Sequence, residues 1–136
     1  RLDMSNNKNK GRLGQNEIRD KILETFPELE PDDVKGCVMG DNGEDIQLSP
    51  AARKLLPLSI EVKRRKSGMA TAYKYIDQAN QHGKGEPVVC YRSDRKPWIV
   101  MVGLDHYAEL LRSWNGNKGM GHSTRPDGHR RNRSKR

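Results

Sequence analysis

Glu61-Val62-Lys63 places a carboxylate and an ammonium two residues apart in a segment whose apolar and polar residues alternate. With a period of two, both side chains point to the same face. Leu58, Ile60 and Val62 face one way; Ser59, Glu61 and Lys63 face the other. Three further features belong with this pair. Asp45 opens the preceding alternating run on its polar face, Glu17 lies one turn into an upstream helical pattern, and Lys63-Arg64-Arg65-Lys66 is a run of four cations leaving the segment. A hard divalent cation takes one or two carboxylates plus main-chain carbonyls and keeps several waters. One or two of the carboxylates Asp45, Glu61 and Glu17, with the Val62 carbonyl, can supply that donor set. Such an ion acidifies a bound water and neutralises charge on a phosphorane-like transition state. A neighbouring Lys63 orients the water or stabilises the added charge, and Arg64, Arg65 and Lys66 hold flanking phosphates. Together these residue types can hydrolyse a phosphodiester.

The charge is distributed to suit. The 136 residues carry 26 Lys plus Arg against 18 Asp plus Glu, a net +8. Residues 115–136 hold seven basic side chains against Asp127 alone, and residues 1–12 hold four against Asp3, which leaves 15 basic and 16 acidic residues between them. This reads as a nearly neutral domain, residues 13–114, between a flexible basic arm at 1–12 and a basic, disordered tail at 115–136. No apolar run approaches the roughly 18 residues of a membrane span, and no signal-peptide pattern opens the chain, so a cytoplasmic location is expected. Cys37 and Cys90 form no CxxC and give no zinc spacing with the four histidines. They read as free, buried thiols in a reducing compartment, with a disulfide between them as the alternative. The glycine-rich stretch 115–121 lacks the GK[ST] ending of a phosphate-binding loop.

The elements that must position these residues follow from periodicity. Ile18, Ile22 and Phe26 mark a helix beginning near Gly14 and ended by Pro27 and Pro31. Residues 34–39 and 44–48 read as short strands around the turn residues Gly40-Asp41-Asn42-Gly43. Ser49-Pro50 is an N-cap followed by proline at the first helical position, predicting a short helix over 51–56 closed by Pro57. Residues 58–63 predict a strand. Met69, Ala72, Tyr73, Ile76 and Ala79 predict a helix stopping by His82-Gly83. The apolar runs 88–91 and 98–102 predict central strands buried on both faces and joined by a turn at 93–96. Asp105 caps a last helix to about Trp114, with Tyr107, Leu110 and Leu111 inward. The expected fold is α/β, with one mixed central sheet flanked by helices.

Asp45 followed by Glu61-Val62-Lys63 resembles the PD-(D/E)xK nuclease signature, with Glu44 where the family has proline. The surrounding Gly40…Gly43-Glu44-Asp45-Ile46…Leu48-Ser49-Pro50-Ala51-Ala52-Arg53…Pro57 is similar to phage-encoded nucleases of the Holliday-junction-resolvase-like branch. The likeness spans roughly residues 14–111. It implies a restriction-endonuclease-like core, Mg²⁺ or Mn²⁺ held by Asp45, Glu61 and the Val62 carbonyl, and Lys63 at the water or the phosphate. It also implies a catalytic contribution from Glu17 and Gln78, branched or structured DNA as substrate, and a homodimer. The helical wheel sets Gln78 beside Lys74 and Gln81, away from the apolar face. Arg53 and Lys74 join Arg64, Arg65 and Lys66 as candidate DNA contacts.

Plainer roles compete for the same residues. Glu61 and Lys63 can form a surface ion pair of about 0–1 kcal/mol. Glu17 has Lys21 at i+4, the spacing of a helix-surface pair. Asp41 or Glu44 can stand in for Asp45. Tyr73, Tyr75 and Trp98 read as core or sheet-covering residues rather than base-stacking platforms. A non-catalytic nucleic-acid-binding protein, or a nicking or homing endonuclease on the same core, is the alternative function.

Overall fold

Ile18 and Ile22 share one face of a long first helix, and Phe26 follows directly at its end; the core is built on this line. A computed structural model describes residues 4–37 and 43–119. Helix α1 spans Met4–Thr25. It is followed by a 3-10 turn at Pro31–Asp33, a two-stranded antiparallel sheet of β1 (Val34–Gly36) and β2 (Ile46–Leu48), and the short helix α2 (Pro50–Leu55). An extended segment then leads to α3 (Ala70–Gln81), the antiparallel pair β3 (Val88–Tyr91) and β4 (Ile99–Val102), and α4 (Leu104–Gly119).

Residues 4–12, expected as a flexible arm, are helical, and α1 starts well before Gly14. Once a helix is nucleated, each added residue gains a hydrogen bond for two fixed dihedrals. Lys8, Lys10 and Arg12 have unbranched side chains that lose little freedom there. At the other end α4 continues past Trp114 to Gly119. The Asn115 side-chain amide donates to the Leu55 carbonyl (2.8 Å) and the Leu111 carbonyl (3.0 Å), tying α4 to the end of α2. Residues 120–136, the rest of the expected tail, lie outside the described residues, as does most of the turn at 40–43.

Phe26, Val34, Ile46, Ala52 and Leu56 are almost wholly buried, with Ile22, Leu29 and Leu48 completing the cluster. β1 and β2 pair Val34 with Leu48 and Gly36 with Ile46, which aims Val34, Ile46 and Leu48 at α1. Asp33 and Ser49 lock this unit at one end. The Asp33 carboxylate accepts from the Ser49 hydroxyl (2.6 Å) and from the Glu30 N–H (2.8 Å). The Ser49 N–H donates to the Asp33 carbonyl (2.8 Å), and Ser49 Oγ caps α2 by accepting from the Ala52 N–H (3.1 Å). The cap and Pro50 stand where the sequence placed them. Arg112 on α4 pairs with Glu28 and lies 5.6 Å over the Phe26 ring, and Lys21 on α1 reaches Asp105 in the first turn of α4 at 2.8 Å. Asp105 thus serves as an ion-pair partner, while the Gly103 carbonyl accepts the first bond of the helix, from the Tyr107 N–H.

The single central sheet does not form among the described residues; there are two separate two-stranded sheets. The predicted strand at 58–63 is extended but joins no ladder, although its alternation holds: Leu58, Ile60 and Val62 are half-buried against the core and Ser59, Glu61 and Lys63 are exposed. Leu58, Ile60 and Val62 line a cleft of about 320 Å³ shared with Leu104, Tyr107 and Leu111 of α4. Among the described residues, the segment 58–63 provides no partner strand, β3 and β4 pair only with each other, and α3 covers them. Val88, Tyr91, Trp98, Ile99 and Val100 are therefore exposed rather than central, Leu110 is half-exposed, and Cys90 is an exposed free thiol. No helix among the described residues is long and apolar enough to cross a membrane.

Phe26 is 1% exposed at the centre of the cluster. Phe26→Ala is expected to lower the unfolding free energy by about 3–5 kcal/mol, read from urea denaturation. The Ser49 hydroxyl and the Glu30 N–H hold the Asp33 carboxyl below its ordinary value of 3.8. A depressed folded-state pKa contributes stability above the unfolded value that is lost as pH falls through the folded one. The urea-midpoint gap between wild type and Asp33→Asn should accordingly be full near neutrality and shrink as pH drops below about 4.

Candidate functional site

Asp45 precedes β2 by one residue and extends its ladder, its carbonyl accepting from the Cys37 N–H at 2.9 Å. With Ile46 buried inward, the Asp45 side chain takes the opposite, polar face. There its Oδ2 accepts from the Val62 N–H at 2.7 Å. This hydrogen bond sets the Asp45 carboxylate against the backbone between Glu61 and Lys63, joining residues 17 positions apart. Glu44, immediately before it, holds both carboxylate oxygens on Arg53 Nη2 at 3.0 and 3.1 Å. Arg53 also donates to the Leu58 carbonyl at 3.4 Å. Arg53 therefore clamps the approach to Asp45 and the entry of the extended segment together.

Glu61 and Lys63 project on the exposed side as the alternation predicted, and the Lys63 ammonium pairs with a Glu61 carboxylate oxygen. Glu17 does not pair with Lys21, whose ammonium goes to Asp105 and, at 4.0 Å, to Glu24. Instead Glu17 Oε1 lies 3.5 Å from Arg64 Nε, which turns it toward the cationic run. The residue that permits this approach is Gly14. A Cβ there would meet Arg64 Cβ at 3.1 Å and the Val62 side chain at 3.4 Å, so the close approach of α1 to the segment leaves little room for a side chain at that position. Helical periodicity marks Gly14 only as a helix start; the signal for its role is a glycine inside a helix, where it costs about 1 kcal/mol relative to Ala.

The structure thus gathers Asp45, Glu61, Val62 and Lys63, with Glu17 and Arg64 beside them. Arg65 and Lys66 follow in the chain and are exposed. Lys74 and Gln78 are exposed on α3, which packs on the β3–β4 hairpin, and no hydrogen bond or ion pair links Gln78 to the Asp45 cluster among the described residues. Asp41 lies outside the described residues. Among them, no three His, Cys, Asp or Glu side chains are grouped to hold a metal ion. The donor set at issue is smaller: the carboxylates of Asp45 and Glu61 and one main-chain carbonyl, all hard oxygen donors suited to Mg²⁺ or Mn²⁺.

No protein-family model, curated protein or solved structure was found to match this chain.

A charge-assisted hydrogen bond of the Asp45–Val62 kind contributes about 1.5–3 kcal/mol. Asp45→Ala should raise the hydrogen-exchange rate of the Val62 amide by about tenfold or more, while Asp45→Asn, which keeps an acceptor oxygen, should preserve most of the protection. Gly14→Val is expected to push α1 from the segment and to speed the same amide.

Proposed function

We propose that this protein is a metal-dependent DNA endonuclease with a restriction-endonuclease-like core, hydrolysing phosphodiester bonds in branched or structured DNA. The observation that carries the reading is the Asp45 Oδ2 to Val62 N–H hydrogen bond at 2.7 Å, which brings an acidic residue to the backbone of an exposed Glu-x-Lys pair. Asp45, Glu61 and the Val62 carbonyl would hold Mg²⁺ or Mn²⁺, which when bound supplies an acidified water and neutralises charge on the phosphate. Asp45 would offer Oδ1, which the hydrogen bond from the Val62 N–H to Oδ2 leaves available. Lys63 leaves Glu61 and turns to the phosphate or the attacking water, stabilising charge that develops in the transition state. Their mutual attraction across solvent-exposed positions is worth about 0–1 kcal/mol, so exchanging it for a phosphate contact is inexpensive. Arg65 and Lys66, free of carboxylate partners in the described ion pairs, take the flanking phosphates. Arg64 shares its charge with Glu17 and is a positioning residue as much as a DNA contact.

The resemblance to the resolvase-like nucleases supports the same assignment and the homodimer that cutting opposed strands requires. A second reading has an observation of its own. Glu61, Glu17 and Glu44 each have a basic partner, on Lys63, Arg64 and Arg53, as expected of a nucleic-acid-binding protein whose acidic residues are structural.

Cleavage decides between them. With Mg²⁺ or Mn²⁺, wild type should nick or cut a panel of branched and linear DNAs, and EDTA should stop it. Glu61→Ala and Lys63→Ala should each reduce the rate by about a hundredfold or more while DNA affinity changes little. No cleavage on any DNA of the panel would leave the binding-protein reading. In either case Arg65→Ala with Lys66→Ala should lower the slope of log affinity against log salt by about 0.9 per residue on duplex DNA.

A further inference from the structure

The hairpin of β3 and β4 ends in a cluster that the catalytic reading does not use. Its register pairs Tyr91 with Ile99, so one residue further out Arg92 lies opposite Trp98. The Arg92 guanidinium carbon sits 6.0 Å from the centroid of the Trp98 ring, and Arg92 Nε donates across the turn to the Lys96 carbonyl at 2.9 Å. The Lys96 N–H closes the tip by donating to the Ser93 carbonyl at 3.1 Å, and Arg95 adopts φ +63° there, a left-handed conformation uncommon for a residue with a Cβ. At the shoulder, Tyr91 and Ser93 share a hydroxyl hydrogen bond at 3.0 Å, and the Tyr91 ring stacks on Tyr75 of α3, centroids 6.1 Å apart. Trp98 is nevertheless 65% exposed, in contrast to its expected place in the core. Residues 92–98 carry Arg92, Arg95 and Lys96 against Asp94 alone.

An exposed indole forgoes much of the stabilisation of burial, and here it stands against the Arg92 guanidinium at a hairpin tip that also carries Arg95 and Lys96. We infer that this hairpin tip binds an unstacked nucleobase together with its neighbouring phosphates, Trp98 stacking on the base and Arg92, Arg95 and Lys96 meeting the backbone. Base–aromatic stacking tolerates any base, and a positively charged surface beside it tracks the strand. A base in an intact duplex is already stacked and cannot offer its face, so the tip distinguishes single-stranded or branched DNA from linear duplex. The inference rests on the nucleic-acid reading of the preceding section and adds to it the part of the substrate that this chain recognises. Charge complementarity selects nucleic acid over an apolar protein surface as the occupant.

The full chain carrying Trp114→Phe, which leaves Trp98 as the one indole, is titrated without divalent metal against an oligothymidylate and a duplex of equal length. The single strand should quench Trp98 fluorescence more strongly than the duplex does. Trp98→Ala should weaken binding of the single strand and of a branched DNA by about five- to a hundredfold and leave duplex affinity within about twofold. Trp98→Phe, which keeps a ring, should retain most of the affinity. Removing Arg95 and Lys96 should reduce the salt slope on the single strand by about 0.7 each. Equal losses on single strand and duplex, no loss on either, or a change in oligomeric state in place of DNA affinity would overturn the inference. If Trp98→Ala leaves binding intact while wild type still cleaves with Mg²⁺, the hairpin assignment alone falls. If the tip discriminates single strand from duplex but no metal supports cleavage, the nuclease assignment falls and the hairpin stands.

Discussion

An extended segment with no strand beside it among the described residues has to satisfy its backbone and hold its direction by other means. In this protein the Asp45 carboxylate supplies them by accepting from the Val62 N–H. Together with the Arg53 bond to the Leu58 carbonyl, this bond couples the β1–β2 unit to residues 58–64. Leu58, Ile60 and Val62 then extend the core built on Phe26, while Glu61 and Lys63 are held outward. The other carboxylate oxygen, Oδ1, takes no part in that bond. The structural and the proposed chemical duties of Asp45 therefore draw on different atoms of one group.

Around that bond the charges are arranged in close local pairs. Glu44 meets Arg53, Glu61 meets Lys63, and Glu17 meets Arg64. Each pair is substantially exposed, so its contribution to stability is small and salt-dependent. Their organising effect is larger than their energy. Arg53 joins the residue before Asp45 to the carbonyl of Leu58, and Arg64 brings α1 to the end of the segment over the bare backbone of Gly14. The ion pairs tie together the elements that carry the candidate site, and little stability is lost in opening them.

The second half of the described chain follows a different logic. α3 covers one side of the β3–β4 hairpin, whose two strands pair only with each other among the described residues. A two-stranded sheet with one covered face leaves apolar residues in water, and Val88, Trp98 and Val100 are exposed accordingly. Large exposed apolar side chains beside cations are the feature of this half that asks for a ligand. That feature was invisible in the sequence, where a continuous apolar run reads the same whether it is buried on both faces or left open on one.

Local rules were sufficient for a good part of the molecule. Ser49-Pro50 capped its helix, the period of two at 58–63 sorted inward from outward residues, and helical spacing placed Ile18, Ile22 and Phe26 on one face, because each depends on neighbours a few residues away. The four cations at 63–66 and the Glu-x-Lys pair were legible for the same reason. Tertiary structure alone decided which strands pair. It decided that Glu17 turns to Arg64 rather than to Lys21, that Lys21 and Asp105 join α1 to α4, and that Trp98 stands in solvent. Those outcomes are contacts between residues far apart in the chain, or the lack of a covering layer. No periodicity or spacing encodes them, since they depend on how close two elements can come, and here a single glycine at position 14 governs one such approach.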